Sequence, residues 1–546
     1  MLHTPLALFL HHERENPQKI FLRQRIQGEW KTWTYSQAGE ESRRIAQALL
    51  ALGLNPGAHV AIISKNCAHW IMADLAIMMA GMVSIPIYPS LGAASIQPIL
   101  DHSESKAVFM GKLDDFAGQE PGIPKGVIIV GADCYGHTGH YSWEQLTLDH
   151  QPLKTLHNWR PDELLTIMYT SGTTGKPKGV MHNAGTTISV IKQATIDLHL
   201  PAHPNLFSYL PLSHIAERIG IEMNAILNNG SLSFPESLDT FAQDLAATQP
   251  DVFFGVPRIW AKFQEGILKK MDQKKLHVLL SIPLISQLIK KSIKKKLGLA
   301  RSTYNISGAA PIATSLVQWF AKLGIIIYQG YAMTEDCIWS HFERKNASRL
   351  GSVGKPLQGV KRKLTDQGEL CVHSAGLMQG YYKEPELTAE MFDHEGYLKT
   401  GDIAEFDHDG YLFITGRVKD QFKTDKGKYI SPTPIEMKLM ANKDIEHVCV
   451  VGMGIPQPIA LITLSEAARK KSSAETANSL TTTLHQINPH LEAYEKLAKV
   501  VIMKENWTIE NGLLTPTLKI KRNQVEKIHL PMYPEWFKED GEVIWE

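Results

Sequence analysis

An α/β fold is the expectation for this chain: a large N-terminal domain of parallel-rich sheets covered by helices, then a small C-terminal α+β domain. Three observations lead there. At 546 residues the chain exceeds one typical domain. Its first 130 or so residues alternate apolar strands with helical patterns, the rhythm of β–α–β units. A Gly/Ser/Thr loop, YTSGTTGKPKGV from Tyr169 to Val180, leaves Ile167 and Met168 and re-enters at Val180 and Met181, as a loop between buried strands does. The composition, 43% hydrophobic and 21% charged, is that of an ordinary globular protein. A net charge of +1 argues against nucleic acid or any other polyanion bound across the whole surface, so any basic function is local.

From the start, MLHTPLALFLHHEREN has an apolar run without a basic leader, so no secretory signal is expected. Ser36 is the expected cap of a helix running to about Leu52, stopped by Gly53 and the Asn55-Pro56-Gly57 turn. His59 to Ile63 reads as a strand, 67–81 as a buried helix and 82–87 as a buried strand. Pro86, Pro89 and Asp74 exclude a membrane span there. Further strands are expected at Ala107–Met110 and Gly126–Val130, and at Glu446–Gly452 near the other end. Cys67, Cys134, Cys337, Cys371 and Cys449 lie far apart without CxxC spacing, which fits a reducing cytosol and offers neither a disulfide framework nor a zinc site.

The 169–180 loop has the chemistry of an anion cradle. Gly172, Gly175 and Gly179 bare backbone N–H groups; Thr170, Ser171, Thr173 and Thr174 add hydroxyls, and Lys176 and Lys178 add charge. It is not a Walker A loop, because only two residues separate Gly172 from Gly175. In LFSYLPLSHIAER the strand-like run ends at Pro211, which leaves His214 just past a strand end, where open α/β sheets bind ligands. From Lys269 to Lys296 nine lysines face one acid, Asp272, with Leu284, Ile285, Leu288, Ile289, Ile293 and Leu297 interleaved at helical spacing. That run reads either as a solvated face whose apolar side packs on its own domain or as a basic amphipathic helix on an anionic membrane.

Further on, Ser307-Gly308-Ala309-Ala310-Pro311 is small enough for a flat ring to lie against the backbone. YQGYAMTED, from Tyr328 to Asp336, supplies an aromatic face at Tyr331, a hydroxyl at Thr334 and a carboxylate at Glu335. YLKTGDIA and FITGRVKD put Asp402 and Arg417 15 residues apart; the carboxylate can accept two hydroxyls and the guanidinium can donate.

These phrases in this sequence order resemble the adenylate-forming superfamily of acyl-CoA synthetases, luciferases and peptide-synthetase adenylation domains, over residues 15 to 530 or so. The resemblance implies ATP, Mg2+ and coenzyme A. It implies that Thr170, Ser171, Gly172, Thr173, Thr174, Gly175 and Lys178 hold phosphates, that Thr170 and Glu335 meet Mg2+, and that His214 lies by the acid and phosphates. Gly308, Ala309, Ala310, Tyr328, Gly330 and Tyr331 would take the adenine, with Tyr331 stacked on it, Thr334 would touch the α-phosphate, and Asp402 and Arg417 would hold ribose and phosphate. It implies domains 1–418 and 419–546, the second mobile about a hinge at Lys419. Gly427 in KGKYISP would enter the site for thioester formation, and Lys519 in NGLLTPTLKIKR would be the catalytic lysine.

Two positions depart from the commoner form, Ala332 and Leu518, each where Gly is frequent. LPLSH, rather than a Phe-Asp phrase, leans away from amino acids; with FGVPRIWAKF and TPTLKIKR it leans towards medium- or long-chain fatty acids. Trp260 reads equally as acyl-pocket lining or plain core. The implied enzyme is a cytoplasmic, AMP-forming fatty-acid–CoA ligase, with peripheral contact at the inner membrane face left open. The other readings are an adenylate synthetase loading a carrier protein, one acting on an aromatic or other acid, and an inactive homologue serving as a binding protein.

Overall fold

The computed structural model describes residues 4–171, 177–515 and 518–546, with Ser171 in backbone only. Two large sheets form the body. One runs, strand beside strand, Lys355–Pro356, His341–Phe342, Ile327–Tyr331, Tyr304–Ser307, Val252–Phe254, Asn205–Phe207, Ser231–Phe234, Ile20–Ile26, Glu29–Thr34, and is parallel from Ile327–Tyr331 through Ile20–Ile26. The other centres on the parallel strands Leu164–Ser171, Val83–Ile87, His59–Ile63, Ala107–Met110 and Ile128–Ala132. The helix Ala68–Met79 is buried on every side, which its unbroken apolar composition requires.

The β–α–β expectation holds, with small shifts. The strands His59–Ile63 and Ala107–Met110 fall at the expected residues. The expected 126–130 strand begins later, at Ile128, because Gly126 takes φ +91° in a turn; the expected 446–452 strand is Ile445–Val451. The helix expected from Ser36 is Tyr35–Ala51, and its cap is Thr34. Gln37 decides this: its N–H donates to Thr34 Oγ1 at 3.2 Å, and its side-chain oxygen accepts from the Thr34 N–H at 2.9 Å, closing a capping box.

A third, antiparallel sheet follows: Lys361–Leu364, Glu369–His373, Leu398–Phe406 and Leu412–Arg417. The smaller C-terminal domain has its own cores, drawn wholly from Phe422 onward. They sit on both faces of a four-stranded sheet whose strands are Ile445–Val451, Ile459–Leu464, Lys499–Ile502 and Val543–Trp545.

One buried ionic knot ties the LPLSH segment to the second sheet. Arg218, in a π-helical turn Arg218–Met223, donates to both oxygens of Asp74 at 2.7 and 2.9 Å and to Thr166 Oγ1 at 2.9 Å, and all three side chains are buried. Trp70 covers the guanidinium at 5.5 Å. A buried pair is costly to halve, because the surviving charge has no water to turn to. Asp74→Ala should destabilise the protein by about 3–5 kcal/mol in a denaturant titration. Asp74→Leu combined with Arg218→Met should cost less than the sum of the two single changes.

Candidate active site

Strands of two sheets carry Asp402, Tyr331 and Arg417 to one cleft, and several other residues expected from the sequence lie around it. Asp402 lies mid-strand in Leu398–Phe406, in register opposite Arg417 at the end of Leu412–Arg417. Arg417 Nε donates to Asp402 Oδ1 at 2.8 Å, and the Tyr331 hydroxyl donates to Asp402 Oδ2 at 2.6 Å. The Asp402 carboxylate, 8% exposed, therefore links the sheet carrying Tyr331 to the one carrying Arg417. Its charge holds Arg417 above the usual guanidinium range, and burial followed by that same charge pushes the Tyr331 phenol up.

Tyr331 ends the strand Ile327–Tyr331 beside Tyr304–Ser307. Gly308 follows that second strand, and a Cβ on it would lie 3.2 Å from the Gly330 carbonyl oxygen and 3.3 Å from the Phe254 ring. Ala309 next adopts φ +65°, uncommon for a residue with a Cβ. Ala310 is exposed, whereas Tyr328 is buried against Tyr304, ring centroids 5.0 Å apart.

The turn after Tyr331 is braced from below. His182 Nε2 lies 2.7 Å from the Thr334 carbonyl, the Met333 N–H donates to Asp336 Oδ1 at 3.0 Å, and Cys337 and Ile338 both take positive φ, +51° and +57°. For a β-branched residue that is a strained backbone, held by its surroundings. It presents Glu335, whose Oε1 accepts the Tyr381 hydroxyl at 2.7 Å. Burial, together with the neighbouring Glu335 charge, raises the Asp336 carboxyl to about 8.

The glycine-rich loop springs from a hairpin whose register sets Thr170 opposite Lys178, and Lys178 Nζ stands over the Tyr381 ring at 5.3 Å. Gly172, Thr173, Thr174 and Gly175 lie outside the described residues, as does the Ser171 side chain. His214 caps a short helical turn, its Nδ1 accepting from the Ala216 N–H at 3.2 Å, which leaves the proton on Nε2. Burial, then the Lys519 charge, lowers His214 to about 4, so it is neutral at physiological pH. Trp260 is fully buried among Phe253, Phe263 and Phe320 and donates to the Gly255 carbonyl at 3.0 Å.

Lys519 reaches this cleft from the smaller domain. It sits on a hairpin closed by the Leu514–Ile520 bridge, with the Thr515 N–H donating to the Lys519 carbonyl at 2.8 Å. Leu518, just before it, takes φ +61°, the left-handed conformation that explains why Gly suits this position. Arg522 anchors the hairpin's other side, donating to the Val450 carbonyl at 2.7 Å and pairing with Glu436. The Lys519 side chain is open to the cleft, yet partial desolvation and then the Arg417 charge lower its pKa to about 8, while Asp402 and Glu335 pull it up. Across the same seam, Arg258 pairs with Glu446 at 2.5 Å.

Lys419 is exposed in the single 3-10 turn Val418–Asp420 that leads into the smaller domain. Gly427, at φ +77°, lies in a hairpin turn where its N–H donates to the Thr424 carbonyl. Sequence reasoning missed Tyr381 and Arg258. Tyr381 sits in a GYY run that carried no separate signal, and Arg258 was read only as part of VPRIW.

Comparison with known proteins gives the family and the fold. A family model described as AMP-binding enzyme matches residues 9–382, and one described as AMP-binding enzyme C-terminal domain matches 419–529. A long-chain-fatty-acid–CoA ligase of Mycobacterium bovis is 28% identical over 95% of this chain and 94% of its own length. The peroxisomal long chain acyl-CoA synthetase 7 of Arabidopsis thaliana is 29% identical over 91% of this chain and 80% of its own. Among solved structures, the adenylation domain of a carboxylate reductase from Mycobacterium chelonae superposes with a TM-score of 0.83 at 20% identity, covering 98% of this chain and 91% of that one. An o-succinylbenzoate CoA synthetase from Bacillus subtilis, in complex with its acyl-adenylate, gives 0.74 at 20%, covering 95% and 97%.

Lys519 should titrate well apart from ordinary lysines. Amine-directed acylation followed by peptide mapping should reach half-maximal labelling of Lys519 near pH 8. Arg417→Ala should move that midpoint upward, since it removes the cation that disfavours the ammonium.

Proposed function

The chain belongs to the AMP-binding enzyme family, and from that premise we propose that it is an AMP-forming ligase joining a medium- or long-chain fatty acid to coenzyme A. The arrangement that supports this reading is Asp402 held by Tyr331 and Arg417, and Glu335 held by Tyr381, with the smaller domain's Lys519 close enough to feel Arg417, Asp402 and Glu335.

In the first half-reaction a carboxylate oxygen of the acid attacks the α-phosphorus of ATP. The bond from that phosphorus to the oxygen bridging the α- and β-phosphates breaks, and pyrophosphate leaves. Negative charge gathers between acid and α-phosphate, and the Lys519 ammonium is the group that meets it; positioning and charge neutralisation are what such a transfer needs. Asp402 takes the ribose hydroxyls, Tyr331 and the Gly308–Ala310 backbone take the base, and Thr334 takes the α-phosphate. Neutral His214 donates from Nε2 towards the acid and phosphates. The 170–178 loop holds the β- and γ-phosphates. Glu335 and Thr170 are hard oxygen donors of the kind Mg2+ takes together with phosphates; bound there, the ion would neutralise phosphate charge.

In the second half-reaction the thiolate sulfur of coenzyme A attacks the acyl carbon, the carbon–oxygen bond to AMP breaks and AMP departs. Rotation about Lys419 withdraws Lys519 and brings in the Gly427 hairpin to shape the pantetheine route, a hinge motion between the domains 1–418 and 419–546. The enzyme is read as cytoplasmic, with peripheral contact at the inner membrane face through residues 269–296. No helix of the described residues is long and apolar enough to cross a membrane.

Lys519→Ala should lower acid-dependent pyrophosphate release by about 10²–10³-fold while leaving thioester formation from supplied acyl-AMP within a few fold. Equal loss in both half-reactions would contradict the role given to Lys519. Because the ammonium is the competent form, kcat/KM for the first half-reaction should fall as pH rises through about 8. In Lys519→Arg, which stays charged, whatever activity remains should lack that fall. Tyr381→Phe should raise the Mg2+ concentration needed for half-maximal rate by about tenfold, since it frees the Glu335 carboxylate to turn. Assays offering free coenzyme A beside carrier-protein pantetheine, over acids of graded length, test acceptor and substrate together.

A further inference from the structure

The charged segment between residues 269 and 296 folds as two helices, Gln273–Ser281 and Pro283–Lys296, after the helix Pro257–Lys270. Their apolar residues divide into two sets. Leu276, Leu280, Ile289, Ile293 and Leu297 face inward, onto the cluster holding Trp260 and Phe320. Val278, Ile282, Leu284, Ile285 and Leu288 face outward, 60%, 42%, 79%, 37% and 70% exposed. Isolated exposed aliphatics are ordinary, but five within 11 residues at the turn between two helices form a patch.

The stripe of the second helix is ordered along its length. Leu284, Leu288, Lys291 and Lys295 are spaced 4, 3 and 4 residues apart, and all four are exposed. Leucines occupy the end near the turn, and lysines follow about 10 Å further along at 1.5 Å per residue. On the opposite stripe lie Ser286, Ile289, Ile293 and Leu297, which pack inward. Lys274 and Lys275 at the start of the first helix, and Lys296 at the end of the second, are also exposed.

We infer that the tip of this helical hairpin docks on an anionic lipid surface, with Leu284 and Leu288 in the acyl boundary and the lysines against headgroup phosphates. The inference deepens the peripheral-membrane reading above and rests on it. The occupant is argued from complementarity. Interfacial helices bury their apolar residues about 5–10 Å deep, which suits leucines set about 10 Å beyond a lysine collar. A nucleic acid would account for the lysines but not for five bare aliphatic side chains, and the chain's charge of +1 leaves this segment as a local basic site. The proposed substrate class gives the docking a use, because a medium- or long-chain acid partitions into the same lipid. The inward face of the hairpin packs on the aromatic cluster that Tyr209 joins to the LPLSH segment.

The test is co-sedimentation of the full-length protein with phosphatidylcholine vesicles, with and without phosphatidylglycerol, at low and high salt. Binding should require phosphatidylglycerol and weaken with salt. Leu284→Ser with Leu288→Ser should reduce it by on the order of tenfold or more. Lys291→Gln with Lys295→Gln should reduce it by on the order of fivefold per lysine. Both pairs of positions are exposed, so circular dichroism should be unchanged, and so should activity on a short, water-soluble acid.

No binding of the wild type to anionic vesicles, or equal binding by both variants, overturns the inference. So does an oligomer dispersed by the leucine changes without vesicle binding, which would make the patch a contact between copies of the chain. Retained ligase activity in any of these cases separates failure of the docking from failure of the proposed reaction.

Discussion

The Asp402 carboxylate accepts two directed hydrogen bonds that run to different parts of the molecule. Tyr331 reaches it from the end of a strand in a nine-stranded sheet, and Arg417 reaches it from the last residue before the turn into the smaller domain. Each bond is charge-assisted and the carboxylate is largely buried, so the arrangement resists competition from water. Lys519, on the far domain, is held partly protonated by the same charge. The relative placement of two sheets is thus registered on one anion. A carboxylate offers about four lone-pair directions, so a ligand with paired hydroxyls can join this network without dismantling it.

Around that anion the cleft sets two cations, Arg417 and Lys519, among the acids Asp402 and Glu335. Arg417 lowers Lys519, and Lys519 in turn lowers His214. Burial comes first in both shifts; the Arg417–Lys519 repulsion adds to it, and His214 stays neutral. A bound triphosphate would attract both cations in a partly desolvated place. Lys519 rides on a domain with cores of its own, so the charge it brings to the cleft is carried by a separately packed unit.

Legibility from sequence followed the range of the interactions. His59–Ile63 and Ala107–Met110 were readable because a buried parallel strand is apolar throughout, a local signal. The phrases around Asp402 and Arg417 were readable as a pair, although their cross-strand register was not. Thr34 was missed as a cap because the choice between it and Ser36 rests on Gln37 reaching back, a side-chain geometry that composition does not specify. Asp74 and Arg218 stand 144 residues apart, and Glu335 and Tyr381 stand 46 apart. Neither separation leaves a periodic trace, so both pairs emerge only from the fold. The lysine-rich run had allowed two readings of its apolar residues, and the helical hairpin divides them: Ile289, Ile293 and Leu297 pack as core, while Leu284, Ile285 and Leu288 stay outside.

The helix Pro257–Lys270 connects these themes mechanically. Near its start Arg258 pairs with Glu446 of the smaller domain, two residues on Trp260 anchors it in the core, and its end at Lys270 leads into the lysine-collared hairpin. Fourteen residues of helix span about 21 Å, with the interdomain pair and the buried Trp260 both in its first turn and Lys270 at its far end. Swinging the smaller domain has to break a half-exposed ion pair at one end, an interaction worth little in water. It need not move the other end at all. A tip held on lipid and a domain that rotates are therefore mechanically compatible in one molecule, because the hairpin's inward face packs on a core cluster drawn from the larger domain alone.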